Sequence, residues 1–237
     1  MTTTAGRAIT HNALHRVWPP RPGRSALVVA AFVLLLWLVQ TVNAVDRQRL
    51  VAEGGIIPLS SHGLDGILFA PLLHAGWAHL EGNTLPVAVF AFLATSAGLL
   101  RFGVATAVIW LVAGIGTWLF GGAGTVHVGA SGLVFGWLTL LLARGFLARS
   151  AGQIALAVAL FLTYGSLLCG VLPTTHEVSW QGHLFGALGG VLAAGVVSRP
   201  DPVRRRVRRG HRTRSTRASS HTGSGASWTR PSDPNTR

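Results

Sequence analysis

The sequence predicts an all-α membrane protein, a six-transmembrane-helix bundle with a short, buried fourth helix. Three observations carry that expectation. Of 237 residues, 49% are apolar and only 11% charged, against about 25% charged in an ordinary soluble domain. So few charges cannot cover a water-exposed surface, and the mean hydropathy is +0.47. Six apolar segments meet or approach the roughly 20 residues a helix needs to cross a hydrocarbon core of about 30 Å. Strand-period alternation is missing, and a backbone in lipid must satisfy its own hydrogen bonds, so helices are the default.

The segments are approximately 26–45, 79–100, 102–120, 130–148, 152–172 and 180–198. The first follows an arginine-bearing N-terminus and ends in Val42-Asn43-Ala44, which loosely resembles a signal-peptidase site. Its apolar run exceeds the usual signal-peptide core of about 7–15 residues, so it reads as a span. Three regions follow: a cytoplasmic N-terminal segment 1–24, a membrane domain 25–198, and a disordered, Arg-rich cytoplasmic tail 199–237. The tail has no apolar period and is rich in Arg, Ser, Thr, Gly and Pro. It reads as a solvated topogenic tail, with docking on anionic inner-leaflet lipid as the sharper alternative.

Charge sets the orientation. All twenty basic residues are arginine, for a formal charge of +13. Eleven of them lie in 199–237, a distribution unsuited to nucleic-acid binding. Arg7, Arg16, Arg21 and Arg24 precede the first segment. Arg101 lies between the second and third, and Arg144 and Arg149 count as lying between the fourth and fifth. Placing both termini in the cytoplasm puts 18 of the 20 arginines inside, leaving only Arg47 and Arg49 in the 46–78 loop. The absence of lysine fits a high-GC bacterial genome, and so a bacterial plasma membrane. Cys169 is the only cysteine and lies in an apolar run, where it reads as a filler; an intrachain disulfide and a cysteine metal cluster are excluded.

Polar side chains inside spans are costly and point to function. Segments two, four and six all start at the outer side, and each carries its unusual polar residues near that start: His79 and Asn83, Ser131, and His183. At about 1.5 Å per residue from the nearest inner arginine, Ser131 comes out about 10 Å below the outer surface, His183 about 6 Å and Asn83 about 3 Å. The fourth segment is therefore expected to start at the floor of a water-filled cavity, because exposed backbone at that depth must face protein or water. Gly129-Ala130-Ser131-Gly132 follows Gly121, Gly122 and Gly124, so a loop can dip inward and turn into a helix whose first N–H groups form an oxyanion hole. Ser131 needs a base, and His183 is the candidate. His79 and Asn83, four apart, share one helical face and can both donate to an oxyanion. Gly182, Gly186 and Gly190 let another backbone approach beside His183, with the fourth segment the natural neighbour, and Phe135, one turn after Ser131, can pack on its imidazole.

These residues resemble the rhomboid family of intramembrane serine proteases. The matches are His79-Leu-Glu-Gly-Asn83 for the family's H-x-x-x-N, Gly129-Ala-Ser131-Gly132 for its G-x-S-G, and Gly182-His183 with Gly186 and Gly190 for its last-helix histidine and glycines. His74 matches a histidine the family often has at the end of its first loop. The resemblance covers about residues 25–198, and three motifs in order on alternate segments are specific where any one is weak. The long first loop lacks the Trp-Arg pair of many members, and Phe135 stands where some have Tyr.

The resemblance implies a Ser131–His183 dyad with no third carboxylate member. Oxyanion stabilisation would come from His79, Asn83, Gly129 and the Ser131 backbone, with Phe135 and Gly186 packing the dyad. It implies substrates that are transmembrane proteins, cleaved in or near the bilayer beside small or helix-destabilising residues, with no cofactor and no metal. His74 reads as a brace for the loop, and His127 as a loop histidine near the cavity mouth. His176 and Glu177 read as a solvated loop. The tryptophans read as interface anchors or packing. An inactive rhomboid-like protein that binds or escorts membrane helices is the alternative. A zinc enzyme using His74, His79 and His183 lacks a well-placed carboxylate or thiolate ligand. Oligomeric state is left open by the sequence.

Overall fold

The computed structural model describes residues 17–148, 150–173 and 179–197. Among these residues the regular elements are helices, with one isolated antiparallel bridge between Ile56 and His127. The long helices are α1 (Pro22–Val45), α2 (Trp77–Ala94), α3 (Leu99–Phe120), α4 (Ser131–Ala148), α5 (Ala151–Tyr164) and α6 (Trp180–Val197). Four stretches are long and apolar enough to cross a membrane: α1, α3, α6, and α5 together with its 3-10 extension to Val171. The apolar run of α4, Ser131–Leu147, is shorter. In α2 the first turns carry His79, Glu81 and Asn83, which dilute its apolar character.

Several boundaries depart from the sequence expectation. The second segment ends at Ala94, followed by a 3-10 turn, Thr95–Ala97. Gly98, at φ +95°, then takes a left-handed conformation that favours glycine and starts α3 on a new course. The fifth segment is α-helical only to Tyr164 and tightens into a 3-10 run, Gly165–Val171. Arg144 does not lie between the fourth and fifth segments. It sits inside α4, 8% exposed, and donates to Ser96 Oγ at 2.8 Å. Cys169 is exposed on that 3-10 run rather than buried as a filler. The 199–237 tail, Arg7, Arg16, Arg149, His176 and Glu177 lie outside the described residues.

Packing centres on α4 and α6. Leu133, Trp137, Leu138, Leu140 and Leu141 of α4 are all buried. On α6, Gly186 and Gly190 lie against the backbone carbonyls of Gly132 and Gly136, where any Cβ would clash. That is the close approach small residues permit between membrane helices. On its other side α6 meets α3, with Phe185 over Gly116 and stacked on Phe120 at 5.2 Å. The α1–α2 loop leans on α3: Trp118 Nε1 and Trp110 Nε1 donate to the carbonyls of Ser60 and Ile67, each at 2.9 Å. These two indoles therefore act as loop ties. Buried Asn43 at the end of α1 accepts from the Val51 N–H and donates to Gln48 Oε1, closing the turn into that loop.

Candidate functional site

The start of α4 is held by its loop. Gly129 has φ +121°, a region costly for side-chain-bearing residues. A Cβ there would also meet the His79 ring at 2.8 Å. The Gly129 N–H donates to the Ala70 carbonyl at 2.9 Å, and the Ala130 N–H reaches His74 Nε2 at 3.5 Å. His74 thus braces the loop, as expected. The N–H groups of Ser131 and Gly132 precede the first intrahelical bond, from Leu133 to the Ala130 carbonyl at 2.9 Å. Such opening N–H groups lack helical partners and can face a developing anion.

Ser131 and His183 meet. His183 Nε2 lies 2.8 Å from Ser131 Oγ, and His183 Nδ1 lies 2.9 Å from the Gly170 carbonyl. A carbonyl only accepts, so Nδ1 carries the proton in the neutral ring, leaving the Nε2 lone pair to accept the Ser131 O–H. Phe135 stacks flat on the imidazole, 4.1 Å between centroids at 9°. Among the described residues, one carbonyl and one ring therefore set its orientation.

His79 lies beside Gly129 and meets His74 edge-to-face at 5.1 Å. Asn83 is buried, and its Nδ2 donates back to the His79 carbonyl at 3.0 Å. That commits one of its two amide hydrogens. His79, Asn83, Ser131, Phe135, Gly170 and His183 share one cavity of about 860 Å³. Gly82 and Pro86 of α2 form part of its wall, with Ser166 and Leu167 opposite on the run after α5. The two walls converge where Phe90 meets Tyr164 edge-to-face at 5.0 Å.

Burial holds His74 neutral: desolvation first, then repulsion from His79, lower its pKa to about 4, opposed in part by the Leu72 backbone. Burial also lowers the pKa of His127. Among the described residues no three His, Cys, Asp or Glu side chains converge on a metal position. Of the histidines weighed for zinc, both His183 nitrogens have partners as above, and His74 Nε2 faces the Ala130 N–H.

A family model, Rhomboid domain, matches residues 62–200. The chain belongs to the rhomboid family. It is similar to uncharacterized proteins of Mycobacterium bovis and Mycobacterium tuberculosis, each 45% identical over 198 residues, covering 80% of this chain and 82% of theirs. An uncharacterized protein of Mycobacterium leprae is 43% identical over 183 residues, 74% of this chain and 72% of its own. The matched span of this rhomboid contains His74, His79, Asn83, Ser131 and His183, and with its apolar helices marks an integral membrane protein.

Sequence reasoning did not find Gly170, whose contribution is a main-chain oxygen and so leaves no signature in residue type. It also passed over Ser179, whose Oγ accepts the Gly182 N–H at 3.3 Å. A serine immediately before an apolar helix is a readable N-cap signal.

Proposed function

We propose that this rhomboid is an intramembrane serine endopeptidase that hydrolyses peptide bonds in or near transmembrane segments. The observation that carries the reading is the 2.8 Å contact between His183 Nε2 and Ser131 Oγ, with the tautomer set by the Gly170 carbonyl. Ser131 Oγ attacks the scissile carbonyl as His183 Nε2 takes its proton. The resulting oxyanion is met by the Ser131 and Gly132 N–H groups, His79, and the second Asn83 amide hydrogen. His183 then returns the proton to the leaving amine, and water hydrolyses the acyl-enzyme by the same relay.

The topology that suits this chemistry has six spans with both termini cytoplasmic, in a bacterial plasma membrane. Its catalytic core is the 25–198 domain, flanked by the 1–24 segment and the 199–237 tail. In it α4 starts below the outer surface, and the cavity admits water from outside. The cavity, walled by Gly82 and Pro86 of α2 and by Ser166 and Leu167 of the run after α5, is large enough to take an extended stretch of substrate beside Ser131. A helix must unwind before its carbonyl reaches Ser131, which favours substrates with small or helix-breaking residues at the cut. The test is co-expression with single-span reporter proteins, with product ends read by mass spectrometry. Cleavage by the wild type, lost in Ser131→Ala and His183→Ala while reporter binding persists, supports the reading. Binding without cleavage by the wild type would instead identify an inactive helix-binding rhomboid.

A further inference from the structure

Four residues before each of Ser131 and His183 stands a second histidine–serine pair with its residue types exchanged: His127 before Ser131, and Ser179 before His183. His127 Nδ1 lies 2.8 Å from Ser179 Oγ, matching the 2.8 Å of the dyad contact itself. We infer that His127 and Ser179 are positioning residues, a bridge that holds the Ser131 and His183 backbones at reacting distance. This rests on the dyad reading above.

The protons of the bridge can be assigned from its partners. Thr125 Oγ1 donates to the Gly122 carbonyl at 2.5 Å, so toward His127 Nε2, 2.7 Å away, it accepts. Nε2 therefore carries the ring hydrogen and Nδ1 accepts from the Ser179 O–H. Ser179 Oγ in turn accepts the Gly182 N–H at 3.3 Å. The chain runs in one direction from the start of α6 to the glycine-rich loop, with every hydrogen placed.

The need for such a tie follows from the packing. On the inner side of the dyad, Gly186 and Gly190 clamp α6 on the carbonyls of Gly132 and Gly136. On the outer side, Ser131 is reached through a loop carrying Gly121, Gly122, Gly124 and Gly129, which Gly129 and Ala130 tie to Ala70 and His74 of the α1–α2 connection. The His127 backbone pairs with Ile56 in both directions, at 2.9 and 3.0 Å, which holds the loop to the α1–α2 connection but not to α6. The side-chain bridge makes that second link. Hydrogen bonds and glycine contacts thus bracket the dyad from both ends. Reacting groups displaced by about 1 Å can lose about a hundredfold in rate.

The experiment is a double-variant cycle with His127→Ala and Ser179→Ala, read by reporter cleavage and by fluorophosphonate labelling of Ser131. Each single variant is expected to lower kcat and the labelling rate about tenfold with KM within about twofold, the scale of one net hydrogen bond. The double variant should be no worse than either single one, and His127→Asn, with an acceptor where Nδ1 lies, should recover most of the loss. Multiplying losses, losses confined to KM, or unchanged kcat overturn the proposal. Amide hydrogen exchange at Ala130–Gly132 reads the bridge without catalysis: faster in both alanine variants and restored in His127→Asn if it positions the strand. A wild type that neither cleaves nor labels defeats the protease reading. The exchange then decides the bridge alone, and unchanged exchange overturns it.

Discussion

His74 shows how one buried side chain couples fold to solution conditions. Its folded pKa of about 4 lies below the ordinary 6.5. The unfolded chain therefore takes up a proton below about pH 6.5 that the folded chain refuses until about pH 4. The contribution of neutral His74 to stability is intact above 6.5 and shrinks as pH falls through that window. Thermal unfolding in detergent should show a falling midpoint between pH 6.5 and 4, with a shallower slope in His74→Gln; equal slopes would remove His74 as the cause. At Gly129 the limit is steric: Gly129→Ala places a Cβ against the His79 ring at a φ of +121°. That should cost about 1–3 kcal/mol of stability and displace His79, lowering kcat more than it raises KM. Ser131 and His183 were conspicuous in the sequence, because a serine among glycines and a histidine in an apolar segment stand out. Gly170 was not, since any residue type carries a carbonyl.

At the scale of the helix, α6 is decided by what it lacks. Gly186 and Gly190 leave room for α4 main chain, so Gly186→Val must push the helices apart. Overpacking of this kind costs about 1–3 kcal/mol, and here it also lengthens the Ser131–His183 contact. Activity should therefore fall further than stability does, measured as cleavage per folded molecule against the unfolding midpoint. The glycine stripe was readable as a period of four, and the fourth segment was its expected neighbour, as the contacts with Gly132 and Gly136 bear out. In α2, Pro86 carries no N–H, so the helical bond to the Gly82 carbonyl is missing. Both residues line the cavity. Pro86→Ala restores that donor and should raise the unfolding midpoint. The end of α2 was misjudged from hydropathy because the short 3-10 turn Thr95–Ala97 and Gly98 separate two apolar helices that read as nearly continuous, whereas the fifth span ends at Val171 close to the expected 172 although its last turns are 3-10.

For the whole molecule, the arginine distribution and the helix order lead to one expected topology. Reporter fusions after Asp65 and Gly122 should be scored as external, and fusions after Arg101 and at the C-terminus as cytoplasmic. An inverted pattern would place the cavity on the cytoplasmic face and remove the proposed water route from outside. Hydropathy, arginine placement and the order of the polar motifs are properties of the linear chain, because each depends on residue type and spacing alone. They were enough for an all-helical membrane protein and for its four principal polar side chains. Distances between remote segments are not of that kind. That Nδ1 of His183 faces a carbonyl, that Nε2 is therefore the acceptor for Ser131, and that His127 reaches Ser179 follow only once glycine-mediated contacts have brought α4 and α6 together. A hydrogen bond needs its partners within tenths of an ångström, a precision that packing in three dimensions supplies and residue order does not.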